Sequence, residues 1–444
     1  MEKSGGQKNV HLERRSFICD RFGEIRHKLC CKGICPDRLL FYGLPSPRAE
    51  NLLWFILPSI IFLIFLFYRK RIEGLSRWPY LSVLYLFFCL FALTVAGVRG
   101  GFSSIMDPFT RTGMEYSGNI PLIESVRNFL ENYVALIPQL ASHSSTHPPG
   151  YSLVLYFFHK IFSVGFLGQA ILLVAAVGLI LVPLYYLWVK LFTEDRARKI
   201  LPIFIFTPSV VMFTATSMDA FLLLIVWMAV ALCFFGWKQS FFLSALGGLA
   251  AGVALFSNFL FLLLAPAFLL IIAYTFKTAP RIEWRKIFLR IIASAGAFLL
   301  FFGGLYLWSN YSILGNFLAA KAVSDSFVGE NFESAGYLAY LAMNIADFLI
   351  YLGLPLVYLV VSGGFGTIKN SHWLFKVGLV NLIFLLVIGV FQGEVERLWL
   401  FMVPFFVIGA DWATEDDERQ IFPAFLALSF FQIIIMQVLF YTYW

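Results

Sequence analysis

Carboxylates, imidazoles and a tyrosine are strung along residues 99–150: Asp107, Glu115, Tyr116, His143 and His147, with Arg111, Glu124 and Arg127 among them. A carboxylate takes a proton from a hydroxyl, and an imidazole titrates near neutrality, so such a set suits proton transfer or contact with an anion. The stretch closes on His143-Ser-Ser-Thr-His147-Pro148-Pro149-Gly150. Paired prolines fix φ near −65° and push the preceding residue to extended geometry. His147 is therefore held on a stiff, non-helical corner just ahead of the apolar run 151–162. Two later places carry charge beside apolar segments: Asp219, in Ser217-Met218-Asp219, and the group Glu394, Glu396 and Arg397. Arginine offers a planar bidentate fork for a phosphate.

Each residue also has a plain role. Asp107 precedes Pro108 and suits a turn. Glu124 and Arg127, three apart on an expected helix over 121–133, read as a surface pair, and Glu394 and Arg397 share that spacing at a helix entry. His143 precedes His147 by four residues and reads as its structural neighbour. Between the two candidates for a general base, Glu115 is preferred to Asp107. Tyr116 and the flanking Gly113 and Gly118 suit a tight, partly apolar pocket that would raise a carboxyl pKa.

The elements that must position these groups follow from composition. Of 444 residues, 60% are hydrophobic and 13% charged, with a mean hydropathy of +0.81. Soluble domains hold roughly 25% charged residues, so many segments belong in lipid. The aromatic share of 18%, with 51 Phe, fits lipid-facing surfaces and headgroup belts. The net charge of +7 does not point to nucleic acid, because the basic residues cluster at helix ends, where they orient spans and meet anionic lipid. Cys89 and Cys233 lie in apolar segments and read as small core residues. Cys19, Cys30, Cys31 and Cys35 crowd the tail without forming two CxxC pairs, so the signal for zinc is weak and they read as free thiols or a disulfide pair.

Residues 1–50 form a polar, basic tail, and the first long apolar run starts at Leu52, so no cleavable signal peptide is expected. Apolar segments then fall at 52–68, 80–98, 168–190, 200–216, 218–236, 241–257, 258–276, 287–309, 337–361, 376–391, 398–410 and 421–441, about twelve spans in all. The organisation expected is a tail (1–50), two membrane segments (51–98), an active-site loop with a juxtamembrane helix (99–166) and a helical core (167–444). The fold class is all-α: a polytopic membrane protein with an extracytoplasmic cap of interfacial helices. Basic clusters at Arg69-Lys70-Arg71 with Arg77, Lys190 with Arg196-Arg198-Lys199, Lys277 with Arg281-Arg285-Lys286, and Lys369 with Lys376 mark the cytoplasmic side. Alternation places 99–167, Ser217–Asp219, 310–336 and 393–397 on the other side. It also places the basic tail outside if 52–68 crosses, which leaves the tail's side open.

His147-Pro148-Pro149 after a charged loop resembles the His-Pro-Pro or Lys-Pro-Pro motif of GT-C membrane glycosyltransferases, in the branch with protein O-mannosyltransferases and aminoarabinose transferases. Ser217-Met218-Asp219-Ala220 resembles their Pro-Asp-Ala-Leu helix start, and Gly393-Glu-Val-Glu-Arg397-Leu-Trp-Leu-Phe401 resembles a late charged helix entry. The similarity spans roughly residues 80–410. The chain departs from the pattern where Asp107 and Glu115 stand eight positions apart instead of adjacent, and where 52–68 precedes the usual first helix. The resemblance implies an inverting glycosyltransferase that moves a sugar from a polyprenyl-phosphate donor to a hydroxyl of a lipid, glycan or protein acceptor at the extracytoplasmic face. Glu115 or Asp107 would act in catalysis, with His147, His143, Tyr116, Arg397, Glu394 and Asp219 binding substrate. The resemblance fixes no cofactor, and a divalent cation is compatible with it. The competing reading is a secondary transporter with an intramembrane polar site at Asn344 and Asp347. Against it stand the absence of an internal repeat and the placement of the polar residues on one face.

Overall fold

The computed structural model describes residues 44–45, 52–335, 337–365, 372–391, 393–414 and 421–441. The four tail cysteines, and all of the basic tail except Leu44–Pro45, lie outside the described residues. Among these residues the structure is helical, apart from one two-residue antiparallel pairing of Leu44–Pro45 with Phe440–Tyr441.

Among the described residues, seven helices are long and apolar enough to cross a membrane: Leu53–Glu73, Arg77–Gly97, Phe166–Leu191, Asp219–Gln239, Phe259–Thr278, Arg281–Ser309 and Ile421–Leu439. Two further pairs pass the same test together but bend, Glu194–Ile205 with Pro208–Thr214 by 63° and Tyr340–Leu352 with Leu354–Gly363 by 98°, so the count is seven to nine. The three remaining apolar segments form shorter helices, Phe241–Ser257, Trp373–Ile388 and Leu400–Ala413. The expected twelve segments are thus all helical, but the structure supports seven to nine candidate spans. The segment 310–336, assigned only a side from sequence, carries the further helix Ile313–Ala335.

Burial sorts the helices into centre and rim. The apolar window of Asp219–Gln239 is 78% buried, and that of Arg281–Ser309 only 17%, with Leu299, Leu300 and Leu307 exposed. Water would penalise such exposed leucine rows, whereas lipid tails do not. Cys233 is a buried free thiol in the central helix and Cys89 a partly buried one, as apolar positions require.

The two bends meet. Thr207-Pro208 breaks the first pair, since proline has no N–H and starts a new helix well. Gly353, at φ +99°, breaks the second, and a Cβ there would lie 2.8 Å from Pro208 Cδ. Gln432 satisfies the opened backbone: Leu354 N–H donates to its Oε1 (2.8 Å), and its Nε2 donates to Ile350 C=O (2.8 Å). Irregular backbone at membrane depth needs such an internal partner.

Residues 102–162 are built of short helices, including Phe102–Thr110, Tyr116–Leu122, Val126–Glu131, Tyr133–Leu136 and Gly150–Phe162. The helix expected over 121–133 starts at Val126, where Ser125 Oγ accepts from Asn128 N–H, and it breaks at Asn132.

Candidate functional site

The site begins with a backbone clamp. Ser142 N–H donates to Gly113 C=O (3.2 Å) and His143 N–H to Met114 C=O (3.0 Å), which joins the two ends of the loop. Glu115, extended at the start of the Tyr116–Leu122 helix, is thereby set against His143, with Oε2 3.2 Å from Nδ1. Both side chains keep some exposure, 13% for Glu115 and 22% for His143.

Two polar contacts fix His147. Its Nδ1 lies 2.6 Å from His143 C=O and 3.0 Å from Thr146 Oγ1. A carbonyl only accepts, so Nδ1 carries the proton and Nε2 presents a lone pair. Burial pushes the His147 pKa down to about 4, more strongly than Asp219 raises it, so the imidazole is neutral at physiological pH. Tyr116 stands edge-on to His147 (centroids 5.8 Å apart) and to Tyr151 (5.0 Å). Burial, then the Asp219 charge, holds the Tyr116 hydroxyl well above the ordinary tyrosine range, which keeps it a hydrogen-bond donor.

A polar network that no motif announced holds this corner in place. Buried Asn119 donates through Nδ2 to Ser152 Oγ (2.9 Å) and accepts from Ala141 N–H (2.9 Å). The buried Tyr133 hydroxyl lies 3.0 Å from both Ser144 C=O and His147 C=O. Gly150 starts its helix against the end of the Phe241–Ser257 helix. A Cβ there would come 2.5 Å from Phe256 O and 2.7 Å from Ser257 Cα, so a side chain has no room. In the sequence Gly150 marks only the end of the proline motif.

The other half comes from distant segments. Asp219 opens the central helix, 3% exposed, with its N–H donating to Ser217 Oγ (3.1 Å). Arg397 Nη1 donates to Asp219 Oδ2 (2.8 Å), and Nη2 binds Glu394. Glu394 sits at φ +59°, a conformation that costs a non-glycine residue and turns its side chain back on the Arg397 helix. Trp227 Nε1 donates to Phe401 C=O (2.9 Å), which seats the 395–402 segment on the central helix. Asn258 joins the halves: its Nδ2 donates to Asp219 Oδ1 (3.3 Å) and Tyr151 OH (3.4 Å), while its Oδ1 accepts from Leu260 N–H (2.9 Å). Its only sequence signal is its place in Ser257-Asn258, between two apolar segments.

The structure therefore brings together Glu115, Tyr116, His143, His147, Asp219, Glu394 and Arg397, and adds Tyr151 and Asn258. Asp107 is not brought in: it is exposed on the Phe102–Thr110 helix, and its hydrogen bonds use its carbonyl, which accepts from Arg111 and Thr110. The expected Glu394–Arg397 ion pair is present, and it occupies a guanidinium nitrogen that the phosphate reading needs. Around Arg397, the carboxylates of Asp219, Glu394 and Glu115 all act on the one guanidinium. The arrangement suits proton transfer beside a held cation. No group of three or more His, Cys, Asp or Glu among the described residues has the geometry for a metal ion. No family model, curated protein or solved structure matches this chain.

Proposed function

We propose that the chain is an inverting membrane glycosyltransferase that transfers a sugar from a polyprenyl-phosphate donor to an acceptor hydroxyl at the extracytoplasmic face. In this reading the twelve apolar segments all serve as spans or part-spans, and 99–166 forms the cap over the site. The observation that carries it is the convergence of a carboxylate–imidazole pair, Glu115–His143, with the buried Asp219–Arg397 pair beside the proline-held His147.

Glu115 takes the acceptor proton as the acceptor oxygen attacks the anomeric carbon. The bond from that carbon to the phosphate oxygen breaks on the opposite face, and the polyprenyl phosphate leaves with the electron pair. His143 orients the carboxylate. A phosphate oxygen at His147 Nε2 favours the imidazolium over the neutral ring, so donor binding charges the group that holds it. Glu394, the more exposed partner of Arg397 (31% against 4% for Asp219), gives up the guanidinium to the phosphate, while Asp219 keeps Arg397 aimed. The test is incubation of purified protein in detergent with polyprenyl-phosphate hexoses and pentoses. Release of polyprenyl phosphate supports the reading. Solute uptake into liposomes that depends on an ion gradient, with no donor consumed, supports the transporter instead.

A further inference from the structure

A second polar cluster lies apart from the loop. On the Tyr337–Leu352 helix, Asn344, Asp347 and Tyr351 are spaced three and four residues apart and share one face. The Val395–Leu398 segment packs against that helix and brings Glu396. The charge of Asp347 acts on Glu396, and both carboxyls act on Tyr351, which places the three groups close together. The four side chains are 6%, 1%, 2% and 2% exposed for Asn344, Asp347, Tyr351 and Glu396. Both oxygens of each carboxyl, the Tyr351 hydroxyl and Asn344 Oδ1 have no hydrogen-bond partner among the described residues. Asn344 is already oriented, because its Nδ2 donates to Phe391 C=O (2.9 Å), which leaves only the oxygen to offer. Trp399 closes the cluster against Phe348 and Phe391, with ring centroids 5.6 and 5.4 Å away. The neighbouring cation, Arg397, hydrogen-bonds Asp219 and Glu394, and its charge also reaches Glu396.

Two neighbouring carboxyls sealed from water and without hydrogen-bond partners are costly to keep ionised, and a positive charge at their centre relieves that cost. The remaining donors are a neutral amide oxygen and a phenol oxygen, with neither thiolate nor imidazole. An all-oxygen set prefers a hard cation, and two carboxylates balance a double charge. We infer that Asp347, Glu396, Asn344 and Tyr351 form a binding site for one hard divalent cation, of the calcium or magnesium kind, that pins the Tyr337–Leu352 helix, the first arm of its bent pair, to the Arg397 segment. The inference does not rest on glycosyl transfer, and its readout needs no sugar donor.

The test uses the full chain in detergent, stripped with EDTA and desalted, then titrated separately with CaCl2, MgCl2 and NaCl at matched ionic strength. Calorimetry should show one equivalent of a divalent cation bound, with a rising thermal midpoint. Asp347→Asn and Glu396→Gln should each weaken binding about tenfold or more, because fewer charged ligands remain. In EDTA both variants should be at least as stable as the wild type, since each replaces a buried carboxyl that has no hydrogen-bond partner by an uncharged amide of the same shape; that result also shows that they fold. Tyr351→Phe should weaken binding less than either. No heat and no midpoint shift at millimolar calcium or magnesium, saturation by sodium alone, or binding unchanged in both carboxyl variants would overturn the site.

Discussion

At the scale of single residues, the central claim is the division of labour between Glu115 and Asp107. An isosteric Glu115→Gln change keeps a hydrogen bond to His143 and removes the proton acceptor. Turnover at saturating donor should fall about 10²–10⁴-fold, with donor binding intact. Asp107→Asn, on an exposed helix away from the cluster, should leave turnover near normal; a dead Asp107 variant beside an active Glu115 variant would move the base to Asp107. A second expectation concerns acid. Burial pushes both His147 and His372 from 6.5 to about 4. Between those values the unfolded chain binds more protons than the folded one, so their contribution to stability is full above about pH 6.5 and is lost as the pH falls toward 4. Thermal midpoints should drop across that window. His147→Gln should flatten the drop in part, leaving the share of His372, whose Nδ1 caps Leu374 N–H. Unchanged pH dependence in that variant would show that His147 is not a half-buried, neutral imidazole in the folded chain. Glu115, Tyr116, His143 and His147 were legible in the sequence because prolines and a charge-rich loop mark them. Asn119 and Asn258 were not, since an asparagine's role depends on which distant backbone it meets.

At the scale of elements, the loop holds its shape through few contacts, so each should be measurable. Tyr133→Phe removes a buried hydroxyl that reaches two carbonyls and should cost about 1–3 kcal/mol in unfolding free energy. It should also weaken donor binding, because one of those carbonyls belongs to His147; a stability loss with unchanged donor affinity would separate the network from the site. Gly150→Ala must displace the end of the Phe241–Ser257 helix and should cost about 1–3 kcal/mol, read by thermal or denaturant unfolding. Apolar runs predicted helix in every expected segment, because length and hydrophobicity are local properties. Breaks were harder to read. Pro208 stood in plain view within 200–216, but Gly353 becomes a corner only because Pro208 lies against it and Gln432 caps it. The start of the loop helix at Val126 was set by a single serine cap that the expected range 121–133 overran.

At the scale of the whole molecule, the proposed orientation puts residues 99–166 and the basic loop near Arg281 on opposite sides of the bilayer. Single cysteines at the exposed positions Thr110 and Ile282, in a chain whose native cysteines are replaced, should react with an impermeant thiol reagent from opposite faces. Labelling from the same face would reverse the alternation and remove the cap from the proposed extracytoplasmic surface. Composition carried the membrane class, because the deficit of charge and the apolar run lengths are sums over many residues and tolerate local error. It could not carry the count of complete crossings, which depends on whether two bent pairs each behave as one span.

The contact between Gly353 and Pro208 makes two separate helix breaks into a single joint. Substitutions at the two positions should therefore not add: a double-mutant cycle between Gly353→Ala and Pro208→Ala should return a coupling free energy of about 0.5–3 kcal/mol, as for residues in direct contact. Any homologue that straightens one of these helices is then expected to have remodelled the other, so the pair would be inherited as a unit.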